Sequence, residues 1–198
     1  MLNNLLNFPK PSPELKFSVH QPQTVSNIAI NISTIVKRAS LSGHELVIVC
    51  IGTDRSTGDS LGALVGSKML ELNTHPHIFG TLDEPVHATN LNDTLKNIQS
   101  SFTNPYILAI DACLGKLESV GCVSIGIGPV KPGAAVNKDL PPVGNAYITG
   151  IVNVGGFMEH LVLQSTRLNL VMKMADTIAI GVTSALKDQR LNINKKNR

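Results

Sequence analysis

Two short apolar runs, each followed by an aspartate, constrain the fold of this chain more than any other feature. Residues 46–51 and 106–110 are apolar throughout, which is typical of strands buried on both faces of a parallel sheet. The first run leads through a polar loop to Asp59, and the second leads directly to Asp111. Groups that follow the carboxyl ends of neighbouring parallel strands meet in one crevice. We therefore expect Asp59 and Asp111 to share a site, and two carboxylates are the minimal equipment for hydrolysis by water.

Helix and strand signals alternate along the whole chain. The spacing of apolar residues predicts helices over 24–40, 59–72, 90–100, 156–175 and 183–191, and strands over 46–51, 77–80, 106–110, 121–127, 146–154 and 177–182. Because strands alternate with helices and are apolar throughout, the sequence predicts an α/β fold. Its sheet is mostly parallel and is covered by helices on both faces.

The chain is expected to form a single domain, because 198 residues are enough for one sizeable core. We place this domain at residues 23–191. The preceding residues, 1–22, contain four prolines and are interpreted as a flexible arm, not as a signal peptide. The last residues, 192–198, form a basic tail.

Composition argues against several classes of partner. Aromatic residues make up only 4% of the chain, and none are interleaved with the basic residues to stack bases, so we expect no specific nucleic-acid binding. No segment approaches the ~18 uncharged apolar residues of a membrane span. The three cysteines form no CxxC pair, which favours a reducing, cytoplasmic compartment.

The loop before Asp59 carries a basic residue, Arg55, which we assign to substrate binding. Its surroundings, residues 52–58, are rich in Gly, Ser and Thr, and such a stretch can hold a phosphate at a helix N-terminus. However, the Lys-Ser/Thr pair of a Walker A loop is missing, and Asp54 and Asp59 would repel an anion. Phosphate binding is therefore an alternative to the peptide contact.

A long loop rich in Gly and Pro, residues 128–144, is the second candidate region for substrate binding. Structureless loops of this length are usually functional or disordered, so the loop is either a lid over the crevice or a solvated surface segment. Its Lys131 and Lys138 would bring positive charge near the aspartates. Lys131, Asn137 and Lys138 complete the predicted substrate contacts.

Each acidic residue also has a purely structural interpretation. Asp59 could cap the following helix, and Asp111 could bond the backbone of the turn after its strand. Cys113 is an alternative nucleophile, but no histidine partner is evident. The six histidines show no HExxH and no paired spacing for zinc. We therefore predict no metal or other cofactor, with a metal site built on the two aspartates and a histidine as the alternative.

Three motifs of this chain, taken in order, closely resemble the YyaC family of sporulation proteins of spore-forming bacteria. They are residues 52–62 (GTDRSTGDSLG), 110–112 (IDA) and 132–137 (PGAAVN), and the resemblance covers most of residues 45–182. That family in turn resembles the germination protease, which degrades small acid-soluble spore proteins. The resemblance implies that Asp59 and Asp111 are the catalytic pair.

Hydrogenase maturation proteases resemble this chain more distantly. The resemblance to them implies a three-layer α/β/α sandwich of the phosphorylase/hydrolase-like type. In those proteases a metal is bound through acidic residues and a histidine. That histidine has no clear match here. The resemblances together imply a protein of the forespore or mother-cell cytoplasm, with a protein or peptide substrate and a homo-oligomeric state as an option.

We thus predict a sporulation-associated, aspartate-dependent peptidase that uses Asp59 and Asp111. Two alternatives stay open. The first is a non-catalytic binding or assembly protein of the spore that retains a peptidase fold. The second is a metal-dependent maturation peptidase.

Overall fold

A computed structural model describes residues 14–72, 77–133 and 140–196 of the chain. Its strands are β1 (Leu15–Ser18), β2 (Glu45–Cys50), β3 (Ile78–Phe79), β4 (Pro105–Gly115), β5 (Cys122–Ile127) and β6 (Ala146–Val154). Its α-helices are α1 (Thr24–Leu41), α2 (Leu61–Glu71), α3 (Leu91–Ser101), α4 (Glu159–Gln164) and α5 (Leu168–Lys196). Short 3₁₀ turns lie at Gly58–Ser60 and Leu117–Ser119.

The six strands form one mixed sheet in the order β1-β5-β6-β4-β2-β3. Strands β3, β2, β4 and β6 run parallel to one another, whereas β5 is antiparallel to β6 and β1 is antiparallel to β5. The parallel part of the sheet therefore contains both strands that lead to the aspartates. This arrangement confirms the predicted α/β class and the mostly parallel sheet.

Helices cover the sheet from both sides, which gives three layers. On one face, Ile48 and Ile110 pack with the inner sides of α1, α2 and α5. On the other face, Val47 and Val49 pack with Leu91 and Ile98 of α3. Because successive strand residues point to opposite faces, both faces of β2 must be apolar, and this accounts for its uninterrupted apolar run.

The predicted carboxyl-terminal elements are wrong. Residues 177–182 were expected to form a strand between two helices, but they lie within the single helix α5. Ile178, Ala179 and Val182 are buried while Ile180 is 47% exposed, which is the pattern of a helix face and not of a strand. Helix α5 packs closely on α1 at Gly181. A Cβ added to this glycine would lie only 2.7 Å from the Cγ2 atom of Ile28. A short apolar run does not by itself distinguish a strand from a buried helix.

The chain termini also differ from expectation. Within the predicted arm, Leu15–Ser18 adds an edge strand to the sheet by pairing with β5, and Phe17 packs against the main core. The arm prediction for residues 1–13 lies outside the described residues. At the other end, α5 continues to Lys196, into the predicted tail. None of the helices within the described ranges is long and apolar enough to cross a membrane.

Candidate functional site

Strand β4 is longer than the sequence indicated, and this changes the position of Asp111. The predicted strand ended at residue 110, but β4 continues to Gly115 because β6 stays paired with it over that length. Asp111 lies inside the strand, opposite Thr149. On the other side, β2 pairs with β4 only as far as Ile110. Asp111 therefore sits one residue beyond the point where β2 ends.

The carboxyl group of Asp111 is buried, with only 8% of the residue exposed. Its Oδ1 atom accepts a hydrogen bond from the N–H of Ala112 at 2.8 Å. Burial raises the pKa of Asp111 to about 8, and the negative charge of Asp59 contributes to this rise. The hydrogen bond from the Ala112 N–H acts in the opposite direction and lowers the pKa. Asp111 is therefore protonated at neutral pH.

Glycines bring the loop of Asp59 close to the end of β2. Gly52 has a φ of +154°, and a Cβ at this position would lie 2.0 Å from the carbonyl oxygen of Asp59. The same carbonyl accepts a hydrogen bond from the N–H of Thr53 at 3.1 Å. A Cβ on Gly58 would lie 2.7 Å from the Cδ2 atom of Leu163. Position 52 therefore has no room for a side chain, because the obstacle is backbone, whereas a side chain at position 58 would require the Leu163 side chain to move.

Asp59 lies one residue before the N-cap position of helix α2. It belongs to the 3₁₀ turn Gly58–Ser60, and Ser60 occupies the N-cap position without a side-chain capping bond. The hydroxyl of Ser60 instead donates to the carbonyl of Thr57 at 2.7 Å. The N-cap position of α2 is therefore occupied by Ser60, one residue after Asp59.

Asp59 and Asp111 line the same cavity, which has a volume of about 270 Å³. The structure thus brings together the two aspartates that the sequence singled out. Lys131 lies in the wall of this cavity. Arg55 is exposed in the loop before Asp59 and is not among the described residues that line the cavity. The other two predicted substrate contacts, Asn137 and Lys138, lie outside the described ranges.

A third carboxylate, Glu159, lines the cavity and was missed from the sequence. It begins helix α4, and its Oε1 atom accepts a hydrogen bond from the N–H of Gly156 at 2.9 Å. Strand β6 runs parallel to β4, so the chain leaving it enters the same crevice. The signal available in the sequence was the Gly155-Gly156 pair between strand and acid.

Cys113 also lines the cavity, but its thiol is held in the protonated form. Burial raises the pKa of Cys113 to about 11, and the Thr149 hydroxyl bonds to it and opposes that rise. Since the thiolate is the reactive form of cysteine, this site does not support Cys113 as a nucleophile. Among the described residues, no three His, Cys, Asp or Glu side chains are grouped so as to hold a metal ion.

A larger cavity of about 640 Å³ lies beside β3, at the far side of the sheet. Its acidic residues, Asp83 and Glu84, are exposed to solvent. Exposed carboxylates keep their water and gain little from their surroundings. The smaller cavity, with its buried acid, is therefore the better candidate for chemistry.

Comparison with known proteins assigns the family. Residues 16–181 match the model of the family described as "Protein of unknown function (DUF1256)". The chain is 52% identical over 166 residues to the "Uncharacterized protein YyaC" of Bacillus subtilis (strain 168), covering 81% of this chain and 80% of that protein. A solved structure, the NiFe-hydrogenase maturation protease HycI of Thermococcus kodakarensis KOD1, is 18% identical with a TM-score of 0.49, over 72% of this chain and 92% of that one. The family match, together with the predicted YyaC resemblance that it confirms, shows that this chain belongs to the DUF1256 family.

Proposed function

We propose that this protein is an aspartate-dependent peptidase that acts on a protein substrate. One observation carries the proposal: a buried, protonated carboxyl group, Asp111, shares a cavity with a second carboxylate, Asp59. Pairs of acids whose surroundings drive their pKa values apart are typical of general acid–base catalysis. The resemblance of the Asp59 and Asp111 motifs to the germination protease supports the same assignment.

In this mechanism the two acids take different roles because their surroundings differ. The Ala112 N–H holds Oδ1 of Asp111, so the proton of Asp111 is carried by Oδ2. Asp111 keeps this proton and donates a hydrogen bond through it to the carbonyl oxygen of the scissile peptide bond, which polarises the carbonyl. Asp59 accepts a proton from a water molecule, whose oxygen then attacks the carbonyl carbon. When the tetrahedral intermediate collapses, Asp59 returns that proton to the leaving amine.

The wall formed by residues 130–133 supplies further stabilisation. Lys131 lines the cavity with the aspartates, and its positive charge favours the negative charge that develops on the carbonyl oxygen. Of the backbone N–H groups in this segment, that of Val130 donates to Val143 and Pro132 has none, so the backbone donors in this proposal are Lys131 and Gly133. Glu159 is held by Gly156 and forms the wall nearest α4.

The motif resemblance also suggests the biological setting. It supports a role in sporulation, in the cytoplasm of the forespore or mother cell, with small acid-soluble spore proteins as substrates. A homo-oligomeric state is part of the same proposal.

A cleavage assay tests the proposed activity. The full chain is incubated with small acid-soluble spore proteins, or with denatured casein, between about pH 4 and 8, and the products are identified by mass spectrometry. We expect discrete cleavage that is lost in Asp59→Asn and in Asp111→Asn. Asp93→Asn is the matched control, because Asp93 is an exposed acid on α3. If both active-site variants cleave like the parent protein, the proposed chemistry is wrong; if no form cleaves any substrate, a binding or assembly role replaces it.

A further inference from the structure

Within the part of the chain that the structure describes, no strand pairs with the β2 side of β4 beyond Ile110, directly beside the two aspartates. β2 pairs with β4 as far as Ile110 and then turns away, since the N–H of Gly52 donates to Val86 and that of Thr53 to Asp59. β4 itself continues to Gly115, paired there only with β6 among the described strands. The β2 side of residues 112–114 is therefore an open edge within the sheet.

The alternation of the strand shows which backbone groups this edge presents. The carbonyl of Ile110 accepts from Ile51 on the β2 side, whereas the carbonyl of Gly115 accepts from Gly155 on the β6 side. Successive residues of a strand direct their N–H and C=O groups to opposite edges, so Ala112 and Leu114 face the open side. The N–H of Ala112 already bonds to Asp111. The carbonyl of Ala112 and both polar groups of Leu114 remain, and no described strand pairs with them.

Two cavities are lined by the residues of this edge, one that contains the aspartates and one across β4, over β5 and β6. Cys113 and Leu114 line the cavity of the aspartates and also a second cavity of about 530 Å³. The second cavity extends over β5 and β6, where the walls include the buried side chains of Ser124 and Thr149. A chain paired with the edge would therefore pass the carboxylates, with the second cavity on the opposite side of β4 from it.

We propose that the open edge of β4, residues 112–114, binds an extended segment of the protein substrate as an added strand. Main-chain hydrogen bonds of this kind supply affinity that depends little on sequence, while neighbouring pockets select side chains. The paired segment lies with its backbone next to Asp111, where a peptide carbonyl must be to accept the hydrogen bond of its carboxyl group. The identity of the occupant as a substrate rests on the proposed peptidase function, but binding of an extended chain does not.

Binding is tested with an unfolded protein, because main-chain pairing tolerates any sequence. Fluorescein-labelled β-casein is titrated with the full chain carrying Asp111→Asn, and fluorescence anisotropy gives Kd. Adding Leu114→Pro removes one N–H from the open edge, a change that edge strands tolerate, and Leu114→Ala is its matched control for loss of the side chain. Since one hydrogen bond contributes about 0.5–1.5 kcal/mol, we expect Leu114→Pro to bind about two- to thirteenfold more weakly than Leu114→Ala.

A second measurement needs no substitution at the edge. Hydrogen–deuterium exchange of the Asp111→Asn chain is followed with and without β-casein, and we expect slower exchange in the peptide containing residues 112–116. Equal Kd values for the Pro and Ala variants, unchanged exchange in this segment, or no binding of β-casein would each overturn the edge proposal. If the protein cleaves its substrates but no chain binds at the edge of β4, only the edge proposal is wrong. If β-casein binds at the edge but no substrate is cleaved, only the peptidase proposal is wrong.

Discussion

The buried acid Asp111 makes the stability of this protein depend on pH in a direction opposite to that of a salt-bridged aspartate. Its pKa is raised to about 8 in the folded protein, from 3.8 for an unperturbed group. The folded state therefore holds a proton that the unfolded chain has already lost above about pH 4. This stabilisation is complete below the unfolded pKa and is lost as pH rises through the folded pKa.

The change in the free energy of unfolding depends on how many pH units are crossed between the two measurements, at pH 5 and pH 9. Each pH unit between 5 and 8 removes about 1.4 kcal/mol from the free energy of unfolding, so the three units remove roughly 4 kcal/mol. Asp111→Asn has no proton to lose at this position. We expect the difference in unfolding free energy between the parent protein and Asp111→Asn to change by this amount, with the variant gaining relative stability at pH 9.

Urea unfolding at pH 5 and pH 9, followed by circular dichroism, measures this difference. Every other ionisable group is present in both proteins, so its contribution cancels in the comparison. Asp93→Asn, on the exposed surface of α3, is the control and should follow the parent protein at both pH values. If Asp111→Asn shows the same pH dependence as the parent, Asp111 is not held protonated and the assigned role of the acid fails.

Three further predictions concern the loop, the last helix and a buried thiol. Gly52→Ala should lower the free energy of unfolding by at least about 2 kcal/mol, as measured in urea, because its Cβ would overlap a backbone carbonyl. Ile178→Ala should cost about 3 kcal/mol, whereas Ile180→Ala should cost under about 1 kcal/mol, since only the first is buried. Cys50, whose pKa is raised by burial to about 12, should resist Ellman's reagent at pH 8 until the protein unfolds.

Each of these predictions has its own control. Gly43→Ala also replaces a glycine of positive φ, but no atom lies within 4 Å of its new Cβ, so a loss as large as that of Gly52→Ala would argue against a specific contact. Equal costs at Ile178 and Ile180 would favour the discarded strand, in which both side chains share a face. If Cys50 is protected in the folded protein, the folded Cys50→Ser variant should react with Ellman's reagent at the same number of thiols as the folded parent protein.

Much of the site was predictable because its signals are local. The apolar run of β2, and the shorter one that opens β4, predicted two buried strands, and the acids that follow them were predicted to converge. The cavity that contains Asp59, Asp111 and Lys131 agrees with that expectation. The substrate roles of Arg55, Asn137 and Lys138, and the catalytic roles themselves, stay predictions.

Other features of the site depend on residues far apart in the sequence. Glu159 reaches the cavity only because β6 lies next to β4, a pairing that no local pattern encodes. Likewise, β4 extends to Gly115 because β6 supplies a partner there, while β2 leaves at Gly52. The length of the strand, and so its open edge, follows from its neighbours.

The sequence by itself determined the α/β class, the parallel strands and the candidate aspartates, because apolar periodicity and strand-end acids are properties of short segments. Tertiary structure decided that residues 177–182 are helical. Packing against α1 stabilises a helix with one buried face, whereas the apolar run of residues 177–182 alone is compatible with a strand or a helix. Tertiary structure also decided the protonation of Asp111. Burial and the nearby charge of Asp59 set that pKa, and both arise only when distant segments close around the carboxyl group.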